Sequence, residues 1–276
     1  LSNHFNDCNQ RSYNYDERYM LQVTVRRDGS SRFGSNNHYA VFPSFSLGWN
    51  LTNEKFMEDR PDWLSSTKVR LSWGKNGNEN IGNFRYTVLT STGNNAIFGS
   101  SESVINGVKA SGLANPDLRW EESEQLDFGL DFGFFNNALT FTADYYKKTT
   151  NGMLMTMNIP SYVGESKPIG NVGKMENSGI EMEMSYKFNV ADWNFRIAGN
   201  ATYLKNKLIE YGNDSGWANL DSFQGTGTIS RAQNGKPFPY FYGYKTDGIF
   251  QNYDEINAYT NANGELIQPN AVPGDV

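Results

Sequence analysis

The sequence predicts an all-β chain, the wall of a transmembrane antiparallel β-barrel. Three observations lead there: strict alternation of apolar and polar residues, alternating segments longer than globular strands, and short links that take turns with long polar ones. The composition agrees. Of 276 residues 14% are aromatic, Gly numbers 27 and Pro only 9, a mix that favours strands joined by Gly/Asn turns.

The alternation runs through most of the chain. Tyr19, Leu21, Val23 and Val25 alternate with Gln22, Thr24 and Arg26. Val41, Pro43, Phe45, Leu47 and Trp49 alternate with Ser44, Ser46, Gly48 and Asn50, and Val69, Leu71 and Trp73 with Lys68, Arg70, Ser72 and Gly74. Leu126, Phe128, Leu130, Phe132 and Phe134 stand against Gln125, Asp127, Gly129 and Asp131; Leu139, Phe141, Ala143 and Tyr145 stand against Thr140, Thr142 and Asp144. The last two segments carry Ile180, Met182, Met184, Tyr186 and Phe188, then Trp193, Phe195, Ile197, Gly199, Ala201 and Tyr203, on their apolar sides. Successive side chains of a strand point to opposite faces, so each segment is a two-faced strand. None of these apolar rows carries a charged or amide residue, and residues 11–15 end one more strand.

A soluble sandwich also has one oily and one polar face, so alternation alone leaves that choice open. Length decides it. The segments run ~10–13 residues against ~5–6 for globular strands, and at a tilt of ~40° that crosses the ~25 Å apolar band of an outer membrane. The links agree: Tyr15-Asp16-Glu17-Arg18, Asn136-Asn137 and Asn189-Val190-Ala191-Asp192 are short, whereas residues 28–38 and 151–173 are long and polar. With the first short link on the periplasmic side, parity requires an even number of strands between Asn76 and Glu122, where residues 84–89 and 104–108 form an extra hairpin or plain loop. Tyr19, Trp49, Phe134, Tyr145, Phe188, Trp193 and Tyr203 fall near strand ends on the apolar rows, as barrel girdles do. One link breaks the rule. Residues 51–67 are long for the periplasmic side, and Phe56, Met57, Trp63 and Leu64 line a short helical turn interrupted at Pro61, a plug for the lower rim or a packing patch.

Several function classes are set aside. A formal charge of -6 without a clustered basic face argues against a nucleic-acid partner. Cys8 is the only cysteine, so no disulfide forms within the chain, and His4 and His38 lack ligands at metal spacing. No run of ~18 apolar residues exists for a transmembrane helix, and Leu1-Ser2-Asn3-His4 does not begin a signal peptide. Both ends break off within the pattern, and truncation at each is expected.

Specific strings then carry a resemblance. Arg26-Arg27-Asp28-Gly29-Ser30-Ser31-Arg32-Phe33-Gly34 is the strongest, followed by Phe42-Pro43-Ser44-Phe45-Ser46-Leu47-Gly48-Trp49. Residues 68–82 (KVRLSWGKNGNENIG), Asn115-Pro116-Asp117-Leu118-Arg119-Trp120-Glu121, Asp144-Tyr145-Tyr146-Lys147-Lys148, residues 171–183 (NVGKMENSGIEME) and residues 242–250 add to it. The chain resembles the SusC/RagA branch of TonB-dependent outer-membrane transporters over nearly its whole length. The resemblance implies that residues 1–276 belong to a barrel of ~22 strands, with the plug domain and both barrel ends outside this piece. It implies import of oligosaccharides or peptides across the outer membrane of a Gram-negative, Bacteroidetes-type bacterium, driven through TonB. It also implies a SusD-like surface lipoprotein over the barrel, and neither enzymatic activity nor a cofactor.

Candidate sites are weighed on the same terms. Glu121 and Glu122 point to opposite faces of a strand and cannot flank one bond as acid and base. Residues 75–82 are glycine-rich but lack a Gly-Lys-Ser/Thr ending, and Asp28-Gly29-Ser30-Ser31 is a turn with too few oxygen ligands for calcium. The polar rows place Arg26, Lys68, Arg70, Asp127, Asp131, Glu181, Glu183 and Arg196 on a hydrated lumen, either pairing across strands or meeting plug or solute. Tyr240, Tyr242, Trp120 and Trp217, with Phe241 and Tyr244 nearby, are the candidates for stacking on solute; packing within loops or against the lipoprotein is the alternative. A soluble carbohydrate-binding module and a passive porin or adhesin barrel are the competing readings. Leu130→Arg is expected to oppose membrane insertion by ~2–4 kcal/mol, and Gly129→Ser to be mild.

Overall fold

The computed structural model describes every residue except 1, 2, 94, 101 and 226. The chain divides into two compact units, one of Leu1–Ala218 with Ala232–Tyr240, the other of Asn219–Arg231 with Phe241–Val276. The first is dominated by an eight-stranded antiparallel meander. Its strands in order are β1 (His4–Tyr15), β2 (Tyr19–Ser30), β3 (Tyr39–Asn50), β4 (Leu64–Asn78), β5 (Glu121–Phe134), β6 (Leu139–Thr156), β7 (Ile169–Val190) and β8 (Trp193–Glu210). Each pairs with its neighbour in sequence, and β1 and β8 are the two edges of an open sheet.

The short links are tight because their residues take the turns that strand twist favours. Asp16 and Glu17 both hold φ near +50° (52° and 53°), and the Arg18 amide donates to the Tyr15 carbonyl at 2.9 Å, closing the three-residue link between the paired Tyr15 and Tyr19. β5 and β6 are joined through Phe135, Asn136 and Asn137, all at positive φ, and β7 and β8 through Ala191 and Asp192.

Strand length exceeds the expectation. The shortest wall strands have 12 residues and β7 has 22. The excess lies on the side of the long loops, where β6 and β7 stay paired up to Thr156 and Ile169. There the apolar alternation has faded, so the sequence shows only the part that meets lipid. The region between β4 and β5 holds no wall strand among the described residues, since β4 pairs directly with β5. Residues 84–89 are turn and coil; the local ladders are Thr90–Thr92 with Val108–Ala110 and Ala96–Phe98 with Ser103–Ile105.

The link after β3 is two 3-10 turns, Leu51–Asn53 and Lys55–Met57, and β4 begins already at Leu64. Trp63 stacks on Phe134 at 5.9 Å between centroids, while Phe56 is exposed. The segment is thus a packing patch on the lower rim. The second unit contains one short helix, Tyr253–Ala258, whose first turn is capped by the Asn252 side chain accepting from the Glu255 amide at 2.9 Å.

Candidate functional site

The wall has two chemically opposite faces. Lines of register partners show the apolar one: Leu21, Leu47, Leu71, Phe128, Tyr145, Ile180 and Tyr203 lie side by side across β2 to β8. Most of this row is exposed, Tyr203 to 69%, as is Ile197 lower on the same face of β8 to 65%, with no second sheet packed against it among the described residues. A sandwich would bury it. An apolar sheet face of this extent is a surface for lipid.

The face also marks its own boundaries. At the lower edge Tyr15 stacks on Tyr19 and Tyr19 on Trp49, each pair 6.4 Å apart, and the Trp49 indole donates to Glu54 at 3.0 Å. Glu54 accepts from Tyr19 first and Trp49 second and lies near Arg18, which together hold its carboxyl below the usual range. Going up, the same row turns polar: Lys75 meets Glu122 at 3.5 Å, Lys147 meets Glu176 at 2.9 Å, and Trp73 donates to Glu124 at 2.8 Å. Tyr145 and Tyr203 stand one step below Lys147 and Lys205 on this row, so they lie at the upper membrane level although their strands continue.

β1 departs from the pattern. Its register with β2 puts Asn9 beside Val25 and Arg11 beside Val23, so the apolar face carries a charge and an amide there. The seven segments read as strands keep their apolar rows free of such residues; this strand, of which the sequence expects only the end at residues 11–15, does not. Its sequence, HFNDCNQRSYNY, has no alternation from which the strand above Arg11 is legible.

On the lumenal face the charges pair across strands. Arg70 on β4 donates from Nε to Asp131 Oδ2 at 2.7 Å and from Nη2 to Asp131 Oδ1 at 3.0 Å, and reaches over β5 to Asp144 on β6 at 2.9 Å. The guanidinium passes above Gly129: a Cβ there would come within 2.7 Å of Arg70 Cζ and would overlap the Asp144 carboxylate. Gly129→Ser therefore disturbs the bridge, which supplies a physical cause for the mild effect expected of it. Asp127 accepts from Ser72 at 3.1 Å and Gln125 at 2.7 Å, and Arg196 donates to Ser185 at 3.0 Å. Arg26 pairs along its own strand, with Asp28 at 2.8 Å, rather than across strands.

Above the membrane band the lumenal side becomes dry. Phe42 of β3 joins Phe33 of the β2–β3 link and Ile81, Leu118 and Trp120 of the long β4–β5 link in a buried cluster. Trp120 packs at 5.2 Å from Phe33 and 5.7 Å from Phe42. Gly77 faces the Phe42 ring so closely that a Cβ would overlap it. Asn171 staples the segment before β5 to the tops of β6 and β7: it accepts from the Arg119 amide at 3.0 Å and donates to the carbonyls of Arg119 and Gly152 at 2.8 and 2.9 Å.

Four aromatic candidates thus have different fates. Trp120 is 8% exposed and serves loop packing. Trp217 is exposed at the start of the short strand Trp217–Asn219. The Tyr240 hydroxyl donates to Gln233 at 2.7 Å. Tyr242, in the second unit, is 43% exposed and carries the Arg231 guanidinium 3.3 Å from its ring centroid. Sequence reasoning missed Phe33, Phe42, Ile81 and Leu118 as a cluster; the available signal was single large apolar residues inside polar loops for three of them and an apolar residue on the polar row of β3 for Phe42.

Comparison with known proteins agrees with this geometry. A family model described as TonB dependent receptor-like, beta-barrel matches residues 10–240. TonB-dependent receptor P39 of Formosa agariphila is 35% identical over 259 residues, 94% of this chain and 23% of its own length. TonB-dependent receptor SusC of Bacteroides thetaiotaomicron is 32% identical over 268 residues, covering 92% and 26%. Among solved structures, the RagAB peptide importer in its closed-closed state superposes with a TM-score of 0.77 at 28% identity, over 96% of this chain and 28% of that one. The chain spans about a quarter of the length of the curated relatives it matches.

Proposed function

The chain belongs to the TonB-dependent receptor-like β-barrel family, and from that membership we propose that it forms wall and outer loops of an outer-membrane importer of oligosaccharides or peptides. The observation that carries the reading is the inverted sheet: apolar rows bare on one face, Arg70, Asp127, Asp131 and Asp144 hydrogen-bonded on the other. That arrangement suits lipid outside and water inside. Transport on this wall involves no covalent step. Solute enters from the outer loops, a plug supplied by another part of the protein is rearranged from the periplasm through TonB, and the solute passes along the polar face. A SusD-like lipoprotein covers the outer mouth.

The peptide class has support in the likeness to the RagAB peptide importer, and the oligosaccharide class rests on the resemblance to the SusC/RagA branch. Trp217 and Tyr242 are the more exposed of the four candidates for stacking on a sugar or a peptide side chain, Tyr240 is partly covered, and Trp120 acts through loop shape.

Deletion of the full-length gene, followed by growth on a panel of oligosaccharides and peptides as sole carbon source, tests the reading. Loss of growth on one class, with uptake abolished by a protonophore, is the expected result. Uptake that survives the protonophore identifies a passive barrel instead, and a full-length protein that is monodisperse without detergent ends the membrane reading.

A further inference from the structure

The upper end of β6 carries a run that neither the membrane band nor the loop packing uses. Three of the chain's eight methionines, Met153, Met155 and Met157, stand at alternate positions within five residues. Leu154 between them packs against the buried cluster around Phe33 and Trp120, so by strand alternation the methionines take the opposite face. All three are half-buried rather than covered. Beside them β7 is bare of side chains where their sulfurs lie. Met153 is paired with Gly173 and Met155 with Gly170. At Gly173 the position that a Cβ would take lies 2.5 Å from Met155 Sδ and 3.6 Å from Met153 Sδ, so two thioethers converge over one glycine. At Gly170 the same position is overlapped by Met157 Sδ. Met155 and Met157 each lean one pairing step back along the strand, and the three side chains make a continuous row of sulfur.

Packing does not account for this row. The dry cluster is served by Leu154 on the other face, and the apolar alternation that meets lipid ends lower on the same strand, at Tyr145. Strands also favour β-branched and aromatic residues over flexible methionine. What the three side chains share is donor chemistry: a thioether is neutral, soft and polarizable, and soft sulfur ligands select Cu(I). We infer that Met153, Met155 and Met157 form a binding site for a soft monovalent cation, Cu(I) or its redox-inert analogue Ag(I). Met153 and Met155 hold the ion over Gly173, and Met157 closes a third side from over Gly170. Alternate residues of a strand stand only ~7 Å apart, so long unbranched side chains bring their sulfurs to one ion without moving the backbone. Hard divalent cations such as calcium and magnesium want oxygen ligands and find none in this row. A thioether has no proton to lose, so the ion stays bound in acid, unlike one held by imidazole or thiolate. The inference stands apart from the transport reading, since it concerns an ion held on the wall whichever solute passes.

The test uses the purified full-length protein in detergent, with Cys8→Ser removing the thiol of this segment, titrated with silver nitrate in chloride-free buffer. The Cys8→Ser protein should retain one Ag(I) per chain more than a variant that adds Met153→Leu, Met155→Leu and Met157→Leu, exchanges that conserve volume and leave the fold intact. Met155→Leu alone should already weaken retention. Gly173→Ala keeps every sulfur but puts a methyl group where two of them meet, and should release the same ion. Met155→His should hold the ion near neutral pH and release it in acid, where imidazole protonates, while the Cys8→Ser protein holds it at both. Cu(I), supplied with ascorbate and read by competition with bicinchoninate, should follow the same order. The inference is overturned if the triple leucine variant retains as much Ag(I) as the Cys8→Ser protein, or if that protein releases the extra ion in acid.

Discussion

The membrane band and the outer half of the same sheet obey opposite rules. In the band, apolar side chains face outward and are bare, while Arg70, Asp131 and Asp144 occupy the inner face. A few residues further along the strands the outward face carries Lys75, Glu122, Lys147 and Glu176, and the inner face holds the dry cluster of Phe33, Phe42, Ile81, Leu118 and Trp120. The backbone ladder is continuous through both. What changes is the solvent on each side, and the side chains report it: hydrocarbon outside and water inside in the band, water outside and folded-back loops inside above it.

The sharpest way to break the comparison is to empty the outer cluster. Trp120→Ala should cost ~3–5 kcal/mol of local stability, the usual range for a buried aromatic, and should free the loops around Phe33 and Ile81 to protease while the embedded wall survives. Equal protection of the loops in the variant would mean that the cluster does not hold them. Next in size is Leu130→Arg, expected to oppose insertion by ~2–4 kcal/mol in a folding assay of the full-length barrel. On the opposite face of the same strand, Gly129→Ser displaces Arg70 from Asp144, a half-exposed bridge worth ~0.2–1 kcal/mol. If the two substitutions behave alike, the assignment of faces is wrong. The smallest effect concerns the lower rim. The Glu54 carboxyl is held below its ordinary value by Tyr19, Trp49 and Arg18, so its contribution is present above the ordinary carboxylate range and is lost as pH falls through the lowered value. Trp49 fluorescence should report a loosening of the link under acid, and Glu54→Gln should remove that pH dependence.

The sequence made the band legible because lipid imposes a period of two. Tyr19 to Val25, Leu126 to Phe134 and Ile180 to Phe188 all appear as strands in the positions where the alternation places them. Outside the band that constraint ends. The upper part of β7, Asn-Val-Gly-Lys-Met-Glu-Asn-Ser-Gly, is paired with β6 at every residue but Val172, yet carries no alternation. β1 was visible only from Arg11 onward, because its outward row sets Arg11 and Asn9 beside the valines of β2. The Arg70 bridge was legible as a set of charges on one face but not as a geometry, since the passage over Gly129 depends on β4, β5 and β6 lying in a register that no single segment encodes. The buried cluster joins Phe33 of one loop to Ile81, Leu118 and Trp120, which stand up to 39 residues apart in another, and nothing local to either loop names these partners.

Gly77 gives the mouth of the wall an unusual dependence on a hydrogen atom. Any larger residue evicts the Phe42 ring, and with it goes the surface on which Trp120 rests. Damage at that position would leave a tube that inserts and stands, but with its upper opening unroofed, so defects in cargo capture and defects in assembly would part company at a single codon.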